Sequence, residues 1–232
     1  MRPILVLEHE RDSPPALLGA WLDARGLAWE HRTLADGLPA DLGAYAAVAS
    51  LGSTNSVNDD EPWIAAEIGF VEQVLAAGLP VLGLCFGAQL LARAAGGTVV
   101  KSPQEEFGWV QPLGSPSLVT ASPWFCWHGD AFTIPPDATL VAENAVCPQA
   151  YVIGRSAGFQ FHPEVDEAVI ELWMRERATR GAPLDLSLTS ARFPDLLPGL
   201  QDRAFALFDW WLQDVAGLAG ETAGSPPVRA GG

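Results

Sequence analysis

Cys85 stands between Gly83 and Gly87 in the stretch GLCFGAQ, after an apolar run and before a helical pattern. Small flanking residues allow a sharp strand-to-helix turn with the thiol exposed at its tip, as in nucleophile elbows. The helix that follows turns its positive dipole end toward the sulfur, where negative charge is favoured. The Phe86 N–H points into the same space and can donate to an oxyanion. Gln89 lies four residues on, about one helical turn, and shares a face with Cys85. A nucleophilic thiol needs a base, and the base needs an orienter. His162 and Glu164 in FQFHPEV fit those roles, because residues i and i+2 of an extended segment point the same way. Glu164 can accept the ring N–H and fix the tautomer. Pro163 turns the chain out of the strand. Cysteine, histidine and carboxylate together make the constellation of covalent acyl transfer. Other reactive types carry weaker signals. His9 and His31 sit in or beside early strands and read as structural polar residues. Cys126 and Cys147 have no helix start or basic partner in the pattern and read as structural.

The elements that must hold these groups follow from the apolar pattern. PILVLEH, LAWEHRTL, YAAVASLG, PVLGL and AGFQFH read as strands. SPPALLGAWLDARG, with Ser13 as N-cap and Gly26 as stop, reads as a helix, as do PWIAAEIGFVEQVLAAG and FGAQLLARAAGG. Strands alternating with helices predict an α/β layer fold with a mainly parallel sheet. Cys85 and His162 then lie at carboxyl ends of strands, where open α/β sheets place their sites. From Thr98 to Phe161 short β-rich pieces, LVTASPWFCWH, ATLVAEN and QAYVIG, predict a small antiparallel excursion. EVDEAVIELWMRERATRG is an amphipathic helix, GAPLDLSLTSARFPDLLPG a loop-like insert, and LQDRAFALFDWWLQDVAG a final helix. One domain is expected over residues 1–218, followed by a disordered tail over 219–232.

The chain has 232 residues and a net charge of −15, from 28 acidic and 13 basic side chains. Such a surface repels phosphate backbones and anionic lipid, which speaks against nucleic-acid or membrane partners. No uninterrupted apolar run reaches the roughly 18 residues of a spanning helix. The opening MRPILVLEHERD is too soon interrupted by charge for a signal peptide. Three scattered cysteines form no disulfide framework and no C-x-x-C metal pair, so a reducing cytoplasm is expected. Nothing in the pattern calls for a metal or a cofactor.

GLCFGAQ followed by FHPE resembles the class I glutamine amidotransferases, whose pattern is G-x-C-x-G-x-Q and then H-P-E. EEFGW at 105–109, WHGDAFTIPPDA at 127–138, CPQAYVIG at 147–154 and GFQFHPEV at 158–165 resemble the amidotransferase half of GMP synthetase and its stand-alone relatives. The resemblance implies a three-layer, flavodoxin-like fold. It implies that Cys85 attacks the γ-carboxamide carbon of glutamine, that His162 relays the proton and that Glu164 orients it. It implies an oxyanion hole from the N–H of Phe86 and one from a G-G-P-like loop. Here that loop reads LGSTNSVND: Gly52 matches the first glycine, while Ser53 and Thr54 replace the rest. Ser53 can still offer its N–H. Gln89 and the backbone of Trp127, Gly129 and Asp130 match positions that hold the substrate's amino-acid end. Trp127 stands where GMP synthetases have a small residue, and His128 matches a structural or pocket-lining position.

Three functions remain open at this level. The chain hydrolyses glutamine or another γ-glutamyl compound by itself; or it donates ammonia to a separate synthetase subunit; or it is a non-catalytic regulator. The chain carries no G-x-x-x-x-G-K-[ST] loop, so acceptor chemistry would reside elsewhere.

Overall fold

A computed structural model of the chain describes residues 2–179, 181 and 196–218. Its centre is an eight-stranded sheet in the order β2-β1-β3-β4-β10-β9-β8-β6. These strands are β1 (Ile4–Glu8), β2 (Trp29–Thr33), β3 (Ala47–Ser50), β4 (Val81–Leu84), β6 (Leu113–Gly114), β8 (Thr139–Glu143), β9 (Pro148–Ile153) and β10 (Ser156–Phe159). From β2 to β10 the neighbours run parallel; from β10 to β6 they run antiparallel. The expected α/β fold with an antiparallel excursion is therefore present.

Continuous apolar runs become strands here because both sheet faces are covered. Along β1, Ile4 and Val6 enter one core and Leu5 and Leu7 the other. The first core is closed by α1 (Ala16–Ala24), α5 (Glu167–Thr179) and α6 (Leu200–Trp210), through Trp21, Ile170 and Phe208. The second is closed by α2 (Pro62–Ala76) and α3 (Phe86–Ala94), through Val71 and Leu91. No described helix is long and apolar enough to cross a membrane.

Three local expectations need correction. The α1 helix does not start on Ser13: its N-cap is Pro15, and Ala16 has φ 36°. The N–H of Leu17 donates instead to the carbonyl of Glu164 at 2.7 Å, so α1 begins by pinning the site's own backbone. The stretch from Val99 to Val110 is one long strand, β5, paired antiparallel with β7 (Trp124–Phe132) in a separate two-stranded ribbon. Its strand pattern is hidden by Pro103 and by a register shift between Lys101 and Glu106. A further helical turn, α4 (Ser117–Thr120), stands within a segment read as β-rich. Most of the loop-like insert at 181–199 and the tail at 219–232 lie outside the described residues.

The α3 helix packs backbone to backbone on the strand ends beneath it. A Cβ on Gly87 would lie 2.0 Å from the Ser50 carbonyl oxygen, and one on Gly83 would lie 2.5 Å from the Gly87 oxygen. Both obstacles are backbone and cannot swing aside. Gly87→Ala is therefore expected to destabilise the protein by roughly 3 kcal/mol, the upper range for overpacking a core. Urea unfolding of the variant against the parent checks this, and an unchanged midpoint would contradict it.

Candidate active site

Cys85 occupies the turn between β4 and α3 with φ 50° and ψ −104°, a conformation few non-glycine residues adopt. Its N–H donates to the Phe159 carbonyl of β10 at 2.8 Å. Two residues on, the Gly87 N–H donates to the Leu51 carbonyl just beyond β3 at 3.0 Å. The turn is thus tied to both strands that flank β4. The sulfur lies 3.8 Å from the Trp127 carbonyl and 3.6 Å from Nε2 of Gln160.

His162 follows β10 and is fixed by its N–H to the Phe125 carbonyl at 2.8 Å. Its Nδ1 meets Oε1 of Glu164 at 2.7 Å, and the Cys85 sulfur lies near enough to the ring to favour its charged form. Trp173 of α5 packs against the imidazole, edge to face at 4.7 Å between centroids. Burial by itself disfavours protonation of His162, but the charges and hydrogen bonds of Glu164 and Cys85 outweigh it, and the ring's pKa rises to about 10.

These groups border a cavity of about 250 Å³, which is also lined by Ser53, Gln89, Trp127, Gly129 and Asp130. Gly52 stands directly beside the pair: a Cβ there would meet the His162 ring at 3.0 Å and the Cys85 side chain at 3.9 Å. Phe86 opens α3, where a first-turn amide has no partner within the helix. The Gln89 amide donates to the Asp130 carbonyl at 3.0 Å and to Gln160 at 3.2 Å. Trp127 presents its carbonyl to the sulfur while its ring packs on Phe107 and Trp173 and donates to Glu105. All ten residues singled out in the sequence therefore meet at one place.

Four further residues shape the site. The Glu10 carboxylate accepts from the Thr54 N–H at 2.6 Å, from the Thr54 hydroxyl at 2.7 Å and from the Ser53 hydroxyl at 3.0 Å. Lys101 and the Ser56 hydroxyl hold the Asp130 carboxylate at 2.6 and 2.5 Å. Gln160 contacts both Cys85 and Gln89. Ser56 and Gln160 stand in the SVND and GFQFHPEV segments already noted in the sequence, whereas Glu10 and Lys101 have no motif spacing and are brought here by the fold. His128 also lines the cavity, but both its ring nitrogens are engaged, Nδ1 with the Asp130 carbonyl at 2.9 Å and Nε2 beside Glu106 at 3.1 Å.

Among the described residues Glu106, His128 and Cys147 bring one potential metal-ligating atom each within 4.8 Å of one another. The Glu106 carboxylate already accepts from Asn144 at 2.6 Å and Gln149 at 2.7 Å. Burial and the charge of Glu106 push the Cys147 thiol up to about 12, so it is a neutral donor rather than a thiolate. Cys126 is wholly buried, and desolvation raises its thiol well above the usual range. Both cysteines are structural, as their sequence context suggests.

The model of the family "Glutamine amidotransferase class-I" matches residues 50–171, more than half of the chain. The chain belongs to this family of enzymes. A GMP synthase [glutamine-hydrolyzing] from Aeromonas salmonicida is 39% identical over 114 residues, covering 40% of this chain and 22% of that protein. Another from Vibrio atlanticus is 38% identical over 116 residues, covering 45% and 22%. The match thus spans about a fifth of the length of these relatives. Among solved structures, a glutamine amido transferase from Methylobacillus flagellatus superposes with a TM-score of 0.83 at 27% identity, covering 99% of this chain and 100% of that one. A glutamine amidotransferase from Thermotoga maritima shares the fold, with a TM-score of 0.79 at 23% identity.

The His162 environment makes a measurable claim. The ring should stay protonated through neutral pH and titrate near 10. Because its folded pKa is raised, the stability it contributes is fully present below 6.5 and fades as pH rises through about 10. Glu164→Gln removes the main attracting charge, so the titration should move down by about a unit or more. NMR titration of the ring checks this. A midpoint near 6.5 in the parent protein, or no shift in the variant, would contradict it.

Proposed function

We propose that the chain hydrolyses the γ-carboxamide of glutamine, or of a closely related γ-glutamyl compound, through a thioester on Cys85. The observation that carries the reading is the Cys85–His162–Glu164 array, buried side by side against a cavity that reaches the sulfur. In this reading the sulfur attacks the amide carbon, and the carbonyl oxygen takes up the electron pair. The N–H groups of Phe86 and Ser53 stabilise that oxyanion. Collapse breaks the C–N bond, and protonated His162 gives its proton to the leaving nitrogen, so ammonia departs. Water then attacks the thioester; His162 takes its proton, and glutamate leaves with Cys85 restored. Glu164 holds the ring orientation and stabilises the imidazolium throughout. Gln89 and the backbone at Trp127, Gly129 and Asp130 border the space left for the substrate's amino-acid end.

A second reading makes the chain the ammonia donor to a separate synthetase. It is favoured by the relatives named GMP synthase, of which the matched segment is only about a fifth. All three members of the Cys85–His162–Glu164 array lie within this one chain, and that favours a self-contained hydrolase.

The test is a panel of glutamine and γ-glutamyl amides assayed with the purified chain alone, with ammonia or amine release as the readout. Partner-free turnover is expected, with a γ-glutamyl adduct on Cys85 trapped by acid quench and seen by mass spectrometry. Cys85→Ser and His162→Ala should each lower kcat by a factor on the order of 10⁴ while leaving the fold intact. Near-normal turnover in either variant contradicts the mechanism. Slow turnover of every amide, restored by a co-purifying synthetase, would favour the ammonia donor.

A further inference from the structure

The loop at Gly52–Ser53 lacks the second glycine and the proline of the family's pattern, yet the proposed mechanism asks it for an N–H at a defined position. Its support comes from two adjacent residues that follow β1. Nδ1 of His9 lies 3.2 Å from the Gly52 carbonyl oxygen. Nε2 of the same ring lies 2.9 Å from Glu67 of α2. Glu67 in turn accepts from the Ser50 hydroxyl at 2.9 Å. His9 is 8% exposed and Glu67 2%, and the ring is stacked on Trp63 and edge-on to Phe86. One residue on, Glu10 holds the Thr54 N–H and the hydroxyls of Ser53 and Thr54.

The geometry points to His9 and Glu10 as positioning residues that set the orientation of the Gly52–Ser53 peptide, so that the Ser53 N–H faces the carbonyl attacked by Cys85. The inference rests on the hydrolytic reading above and deepens it. The Gly52–Ser53 bond is trans. In a trans peptide C=O and N–H point in opposite directions. A carbonyl drawn toward His9 therefore turns the Ser53 N–H away from His9, and Ser53 and Cys85 line the same cavity. Among the described residues no group accepts from the Ser53 N–H. The peptide cannot flip without surrendering the His9 bond, and the next peptide cannot follow without surrendering Glu10. Glu67 also favours the doubly protonated ring: burial opposes the charge, but the carboxylate prevails and raises the His9 pKa. A charged donor on the carbonyl polarises the same peptide and strengthens its N–H as a donor.

The experiment compares His9→Leu, His9→Asn and Glu10→Ala in the whole chain, with glutamine as substrate and circular dichroism as the check on folding. Asparagine places an amide N–H near the position of Nδ1 and keeps the bond to Gly52. His9→Leu should lower kcat on the order of tenfold to a hundredfold, the effect of a misplaced oxyanion donor, with KM within about threefold. His9→Asn should recover most of the loss. Glu10→Ala, which touches no core packing, should also lower kcat more than it raises KM. A kcat for His9→Leu within about twofold of the parent overturns the inference, as does a loss confined to KM. Equal loss in His9→Asn and His9→Leu also overturns it. If His9→Leu does not fold, an unaltered kcat in Glu10→Ala overturns it alone. Cys85→Ala, assayed in parallel, separates the two levels. Turnover that survives Cys85→Ala removes the thioester mechanism, whereas an inactive Cys85→Ala beside fully active His9→Leu and Glu10→Ala removes only the brace.

Discussion

Cys85 is held at φ 50°, and most of the site follows from what that requires. A non-glycine residue in such a region costs roughly 1–3 kcal/mol and persists only where its surroundings over-determine it. Here they do. β4 lies between β3 and β10, so the turn that leaves it has a neighbour on each side. Phe159, at the end of β10, accepts the Cys85 N–H; Leu51, just past β3, accepts the Gly87 N–H. The glycines at 83 and 87 let α3 descend onto the strand ends until backbone meets backbone. The same descent puts three chain exits side by side. The exit of β3 brings Gly52 and Ser53, that of β4 brings Cys85, and that of β10 brings His162. A parallel sheet with this strand order cannot satisfy the strained turn without also bringing the other two exits to the sulfur.

The second constraint is charge. Three buried histidines each lie against a glutamate, His162 with Glu164 and His128 with Glu106 at the cavity, and His9 with Glu67 behind the Gly52 loop. Burying ion pairs costs desolvation, so these are poor devices for stability; their value lies in directional bonds that fix geometry. Two of them share a pattern. His9 and His128 each place Nε2 on the carboxylate and Nδ1 on a backbone carbonyl, of Gly52 and Asp130 respectively. His162 reverses it, with Nδ1 on its glutamate, which leaves the other nitrogen for the sulfur. Two pairs thus clamp the backbone segments that frame the cavity, and the third faces into it. Gln89 links the frame together, because its amide reaches the Asp130 carbonyl that His128 also holds.

How much of this was legible before the structure depends on whether a residue's role is local. Cys85 with its glycines and His162 with Glu164 are local patterns: the turn chemistry and the i, i+2 spacing state them outright. The parallel sheet was legible too, because continuous apolar runs such as ILVL in β1 need cover on both faces. β5 was not, because Pro103 and the register shift after Lys101 break its alternation although β7 supplies a full partner. Ser13 misled as a cap because α1 starts only after Pro15, and a long-range acceptor, the Glu164 carbonyl, takes the Leu17 amide in its first turn. His9 and His31 look alike on the page, each a histidine in or beside an early strand. Yet His31 is part-exposed beside Glu8, whereas His9 reaches across 43 residues to Gly52 and 58 to Glu67. Only the placement of β3 next to β1, with α2 laid over both, turns one of them into a support for the site. The departure of Ser53 and Thr54 from a glycine-rich loop then has a physical counterpart. A loop with less glycine has fewer conformations to choose from. Glu10 supplies the acceptor for the Thr54 N–H and for both hydroxyls, which a Gly-Gly-Pro sequence could not have offered.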